Sequence, residues 1–152
     1  MFANAGVAAI AATLVAAGVA AGRGGLASAG ALAATGALAA ATADTWATEI
    51  GWRIGAPTRS ITSRIVLAPG ETGGVSWSGT AAGAAGALCV ASFGGLLVGP
   101  GAFWPAWAGG VTGMLVDSLI GATLERRFTR VTNDVVNWAG TISGAGVAVL
   151  FG

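Results

Sequence analysis

An all-α, polytopic integral membrane bundle of about five transmembrane helices, packed through glycine and alanine, is the fold class this sequence predicts, on three observations. The chain is 55% hydrophobic and 9% charged, against about 25% charged residues in ordinary soluble domains, and its mean hydropathy is +0.78. A soluble core built from 152 residues cannot absorb that much apolar surface. Apolar stretches of membrane length also recur, at 2–22, 25–43, 75–99, 103–124 and 138–151, where a spanning helix needs about 20 residues. Within them glycines pair at i,i+4 spacing: Gly18/Gly22, Gly79/Gly83, Gly95/Gly99, Gly109/Gly113 and Gly140/Gly144. Such pairs let helix backbones approach closely. A single transmembrane domain over 1–152 is expected.

The first stretch lacks a basic leader and a polar region after it, which argues against a signal peptide. A tight turn at Arg23 leads into the second, which runs directly into Asp44-Thr45-Trp46-Ala47-Thr48-Glu49-Ile50-Gly51. If the helix continues, Asp44, Thr48 and Gly51 share a face with Ala37 and Ala41 behind them, and Glu49 shares the adjacent face with Thr45. A polar loop at 44–74 ends in Pro69-Gly70-Glu71-Thr72-Gly73-Gly74-Val75-Ser76, a glycine-rich turn opening the third helix. Thr72, Gly73, Gly74 and Ser76 would there present N–H groups and a hydroxyl to an anion. The turn lacks the GxxxxGK[ST] pattern of a P-loop. Another tight turn at 99–101 leads into the fourth stretch, where Gly110, Gly113, Asp117 and Gly121 form one stripe. Asp117 lies about two turns inside the boundary, where an unpartnered charge costs at least ~2.5 kcal/mol. A second polar loop, 125–137, precedes the fifth stretch, which reaches spanning length if its helix starts near Asp134. Asn133 and Asn137 are i,i+4 there, in line with Gly140 and Gly144.

With five spans, both polar loops fall on one side of the membrane. They hold Arg53, Arg59, Arg64, Arg126, Arg127 and Arg130, six of the seven arginines, so that side is expected to be cytoplasmic, with the N-terminus on it and the C-terminus opposite. Trp46, Trp52, Trp77 and Trp138 fall near the boundaries, as interfacial aromatics do. Two offsets match: Asp44 to Arg53 and Asp117 to Arg126 are both nine residues. A parallel repeat about the membrane normal would bring the two aspartates together.

Several chemistries are excluded. The chain has no histidine and one cysteine, Cys89, so it offers no Ser-His-Asp triad, histidine-ligated zinc or CxxC site. A net charge of +1 gives no argument for nucleic acid. What remains is oxygen: Asp44, Glu49 and Asp117, a set that suits Mg²⁺. Asn133 and Asn137 would complete a metal shell or bind phosphate or a base; helix capping by Asn133 or Asp134 is the plainer role. Arg59 and Arg64, with Thr58, Ser60, Thr62 and Ser63 between, would hold phosphates or simply form a basic surface loop.

Five strings in this order, ATADTWATEIG (41–51), APTRSITS (56–63), PGETGGVS (69–76), MLVDSLIGATLE (114–125) and VTNDVVNW (131–138), carry a resemblance to a known family over essentially the whole chain. They resemble the integral membrane family called domain of unknown function 92, or transmembrane protein 19, which includes the chloroplast phytyl-phosphate kinase of tocopherol synthesis. The resemblance implies phosphoryl transfer from a nucleoside triphosphate, CTP favoured, to a prenyl monophosphate. Relatives usually carry further N-terminal helices before a segment like Phe2-Ala3-Asn4-Ala5-Gly6, so the chain is expected to correspond to a C-terminal portion. It departs from the family pattern at Glu71 and Thr72, and Thr58 separates Arg59 from Pro57.

On that reading Asp44, Glu49 and Asp117 are the catalytic, metal-holding acids. Arg59, Arg64, Thr72, Gly73, Gly74, Ser76, Asn133 and Asn137 bind phosphate or nucleotide, and the prenyl tail lies along glycine-lined helix faces. The partners implied are the nucleotide, the lipid phosphate and membrane lipids, in a prokaryotic plasma membrane; a homo-oligomer stays open. A phosphate monoester with a second pKa near ~6 is already nucleophilic at neutral pH and needs no strong base. Two other classes remain: a small carrier, which needs polar groups near the midplane, and an assembly protein, whose carboxylates would share no focus.

Overall fold

A computed structural model describes residues 2–68, 71–125, 127–128 and 131–152, with side chains from residue 5 onward. Pro69, Gly70, Arg126 and Arg130, and the side chain of Asn4, each named in the sequence reading, lie outside the described residues or side chains. Five helices form: α1 (Phe2–Ala20), α2 (Gly24–Ile54), α3 (Trp77–Leu97), α4 (Phe103–Ile120) and α5 (Asn133–Leu150). Three segments, Gly24–Ile54, Trp77–Leu97 and Pro100–Glu125, are long and apolar enough to cross a membrane. The fifth helix begins at Asn133, as expected, but at 18 residues it is not among the three segments long and apolar enough to cross.

Helix α2 is the central element and packs against the other four. At 31 residues and about 1.5 Å per residue it is roughly 46 Å long, against a hydrocarbon core of about 30 Å. Asp44, twenty residues beyond Gly24, therefore stands about 30 Å along it. The run from Asp44 to Ile54 continues as helix instead of opening a loop. It stops where Gly55 takes a left-handed conformation, φ 69°, with Pro57 close behind.

The core is alanine and glycine. Ala37, Ala39, Ala40, Ala43, Ala87, Ala91, Ala106 and Ala148 are buried, and Val136 is the largest fully buried side chain. In a membrane, helices associate through close van der Waals packing, and these helices meet backbone to backbone. A Cβ on Gly113 would sit 2.6 Å from the Gly140 carbonyl oxygen, and one on Gly144 2.8 Å from that of Gly36. The pairs 79/83, 109/113 and 140/144 all lie at such approaches, whereas Gly22 and Gly99 face open space at positive φ. Trp138, near the start of α5, packs over Gly6 of α1 and beside Val7 and Ala37.

Between α2 and α3 the chain forms a small antiparallel sheet of β1 (Thr58–Ser60), β2 (Val66–Leu67) and β3 (Gly74–Val75), in the order β2-β1-β3. Arg59 pairs with Val66 on one side and Val75 on the other. Buried Ser60 organises the turn: its N–H donates to the Ile65 carbonyl at 2.9 Å and its carbonyl accepts from Arg64 N–H at 3.0 Å. The Ile61 N–H donates to the Gly73 carbonyl at 3.1 Å, which fixes the sheet to the glycine turn at the start of α3.

Candidate functional site

The ends of α2 and α4 and the starts of α3 and α5 meet at one end of the bundle, under the small sheet. They enclose a cavity of about 150 Å³. Helix α2 contributes Asp44, Ala47, Thr48, Gly51 and Trp52; β1 contributes Thr58; the glycine turn contributes Glu71, Thr72, Gly73, Gly74 and Val75. Ser76, Gly79 and Thr80 line it from α3, Met114, Leu115, Asp117 and Ser118 from α4, and Asn133 from α5. Pockets that swallow a whole ligand are about 300–1,000 Å³, so this one suits a headgroup.

Its walls depend on missing side chains. Gly51 and Gly79 let α2 and α3 close: a Cβ on Gly51 would lie 2.9 Å from the Gly79 Cα. Gly73 has φ 76° and sits against the Ala122 backbone, and a Cβ on Gly121 would come within 2.7 Å of the Thr72 methyl. The glycine turn thus rests on the π-helical turn Gly121–Glu125 that ends α4. Ser76 caps α3, its Oγ accepting from Gly79 N–H at 3.1 Å. From this first turn of α3, Ser76, Gly79 and Thr80 line the cavity. Glu71 closes its own turn, Oε2 accepting from Ala68 N–H at 2.9 Å.

Asp44 and Asp117, both half-buried, face each other closely enough for their charges to interact, and Asp117 also feels Glu125. A second, water-sized recess of about 10 Å³ lies behind them, lined by Ala40, Ala41, Gly113, Asn137, Gly140 and Thr141 as well as both aspartates. Asn137 therefore stands behind the acids and Asn133 in the main cavity. Thr141 Oγ1 donates to the Asn137 carbonyl at 2.8 Å. Gly140 leaves room for Asp117: a Cβ there would lie 3.3 Å from the aspartate's own Cβ.

Three of the residues singled out in the sequence lie elsewhere. Glu49 is outside the cavity and pairs with Arg53 at 3.8 Å, both side chains more than half exposed. Among the described residues no three acids come together in a metal-holding group; Asp44 and Asp117, with Glu71 of the glycine turn, are the acids that line the cavity. Arg59 and Arg64 are exposed, and Arg59 Nη1 donates to the Arg64 carbonyl at 3.2 Å. Strand alternation explains the former: Thr58 points into the cavity, so Arg59 points away. No arginine among the described residues lines the cavity.

Two residues of the cavity wall were not singled out in the sequence as site residues. The hydroxyls of Thr80 and Ser118 line the cavity; Thr80 could have been found as the i+4 partner of Ser76. Glu125 carries a buried Oε2 with no hydrogen-bond partner among the described residues. Regular α winding would place it about 80° off the direction of Asp117; it ends the π turn Gly121–Glu125, for which the sequence carries no signal.

A family description, integral membrane protein DUF92, matches residues 1–149. An uncharacterized membrane protein of Methanocaldococcus jannaschii is 39% identical over 109 residues, covering 71% of this chain and 45% of that protein. One of Synechocystis sp. is 37% identical over 110 residues, covering 70% of this chain and 42% of that protein. The chain thus spans less than half the length of these curated relatives. No solved structure matches it.

Proposed function

The chain belongs to the integral membrane DUF92 family, and from that premise we propose that its cavity is a phosphoryl-transfer site, passing a phosphate from a nucleoside triphosphate to a lipid monophosphate at the cytoplasmic face. The observation that carries this reading is the facing pair Asp44 and Asp117 in a cavity lined by hydroxyls, glycine backbone and a helix N-terminus, with no arginine among its described residues. An anion placed beside two carboxylates is repelled by both unless a cation lies between them. The donor set is all oxygen, which fits Mg²⁺, an ion usually held by one or two carboxylates with phosphate oxygens and water completing its shell. Bound there, it would neutralise charge on the transferring phosphoryl group.

The chain's own residues would do the rest. Asp44 and Asp117 would hold the cation. The Gly73-Gly74 turn and the first N–H groups of α3 point at phosphate oxygens, favoured by the helix dipole. Thr48, Thr72, Thr80 and Ser118 donate to the same oxygens, and Asn133 stands where the nucleotide would enter. An oxygen of the acceptor phosphate attacks the terminal phosphorus, the bond to the bridging oxygen breaks, and the nucleoside diphosphate leaves. The acceptor is already anionic near pH 7, so no general base is called for, in keeping with a chain without histidine. Transfer of this kind rests on positioning and charge neutralisation. CTP as donor and a prenyl phosphate as acceptor follow from the resemblance. A carrier is less favoured, because the acids stand near one end of the bundle and not at its midplane.

The test is labelled CTP with geranylgeranyl phosphate and Mg²⁺, on the purified chain and on the full-length archaeal relative. Diphosphate product, abolished by Asp44→Asn in an intact fold, supports the proposal. Absence of product from both proteins removes it.

A further inference from the structure

The seam between α3 and α4 is closed by close contacts over much of its length. Starting from the end far from the cavity, a Cβ on Gly95 would touch Phe103, and one on Gly110 would lie 2.7 Å from the Ala87 Cβ. The Trp107 indole N–H donates to the Ala84 carbonyl at 3.2 Å, and Gly83 lies against the Met114 sulfur. Met114 is only 3% exposed. Beyond that contact the cavity begins: Thr80, one turn before Gly83 on α3, and Leu115, next to Met114 on α4, both line it. Leu115 lines that cavity and is 40% exposed, on the same stripe of α4 as Leu119, one turn on and 47% exposed. One side chain thus touches both the polar chamber and the surface that a spanning helix turns to lipid.

We infer that the cavity opens sideways into the bilayer between Thr80 and Leu115, and that this lateral mouth takes the hydrocarbon tail of an amphiphile whose phosphate occupies the cavity. The inference rests on the phosphoryl-transfer reading for the headgroup, but the route itself rests on the seam. Its occupant is set by the surroundings: on the outer face of a spanning helix the contacting phase is lipid chain. A cavity sized for a headgroup has no room for a long tail, and the Met114–Gly83 contact forms a floor that stops the tail from running down inside the bundle. The tail must leave over Leu115 and lie along the outer stripe where Leu88, two turns below Thr80 on α3, is 43% exposed. The mouth therefore selects for a lipid-anchored phosphate while leaving tail length unread, and the nucleotide comes from the aqueous side.

Photo-crosslinking reads this route without turnover. A benzophenone amino acid is placed at Leu115, at Leu88 or, as the lipid-exposed comparison on α5, at Ile142, which is 55% exposed. The protein in nanodiscs is then irradiated with radiolabelled geranylgeranyl phosphate. Labelling is expected at positions 115 and 88 and is lost on adding excess unlabelled geranylgeranyl phosphate, while labelling at 142 is weak and insensitive to competitor. Equal, uncompeted labelling at all three positions overturns the inference. Competed labelling in a protein that makes no diphosphate would keep the lateral mouth and remove only the kinase reading. Should the Leu115 variant fail to insert, the Leu88 variant, outside the cavity, decides alone.

Discussion

Gly140→Ala should impair the site without touching a charge. The added Cβ would lie 3.0 Å from the Gly113 carbonyl oxygen and 3.3 Å from the Asp117 Cβ. The first is backbone, about 0.4 Å inside the 3.4 Å of ordinary contact, so α4 and α5 must separate by a similar amount. Alanine gains up to about 1 kcal/mol of helix propensity over glycine, while overpacking costs about 1–3 kcal/mol. The net expectation is a loss of about 0–2 kcal/mol. Asp117 moves with its helix. If a displacement of about 1 Å at a reacting centre costs about 100-fold, one of about 0.4 Å costs roughly six-fold in turnover. The internal comparison is Gly146→Ala on the same helix, where a Cβ meets nothing within 4 Å; it should be neutral or stabilising by up to about 1 kcal/mol, with turnover unchanged. Thermal unfolding in one detergent and phosphoryl transfer in nanodiscs would be measured on both. Indistinguishable behaviour of the two variants would refute the argument that backbone contact between α4 and α5 sets the position of Asp117.

Glu49→Gln should leave turnover unchanged and shift stability by no more than about 0.5 kcal/mol, the range of an exposed i,i+4 pair; a large loss of turnover would return Glu49 to the site. Gly73→Ala should destabilise the turn by at least about 1–2 kcal/mol from its left-handed backbone alone, more with the Ala122 contact, and weaken nucleotide binding; wild-type affinity in a titration would contradict the placement of that turn. Asp117→Asn should lower kcat by about 100-fold or more, the scale of losing one charge-stabilising group in an active site, while chelation of Mg²⁺ abolishes turnover in the wild type.

The parts of the fold that are legible in the sequence are those with strong periodicity or composition. The apolar runs became helices, and the glycines at 109, 113, 140 and 144 became the approaches between them. The acidic continuation of α2 was legible too, because nothing in Asp44 to Ile54 stops a helix before Gly55. The sheet was not: its strands are two or three residues long, below the length at which alternation carries a signal. Glu49 shows the limit of composition. It lies five residues after Asp44, about 140° around the helix, so the shared acidity of that segment does not translate into a shared site. Arg59 and Arg64 were drawn to phosphate by type, and strand alternation with a tight turn sent them outward.

The central claim is that Asp44 and Asp117 jointly hold a divalent cation with phosphate. Electron paramagnetic resonance of Mn²⁺, titrated with CTP into the detergent-solubilised protein, tests it most directly. Nucleotide-dependent immobilisation of Mn²⁺ by the wild type, lost in a folded Asp44→Asn, Asp117→Asn double variant, is the predicted result. The same immobilisation in both proteins, or none in the wild type, would contradict it.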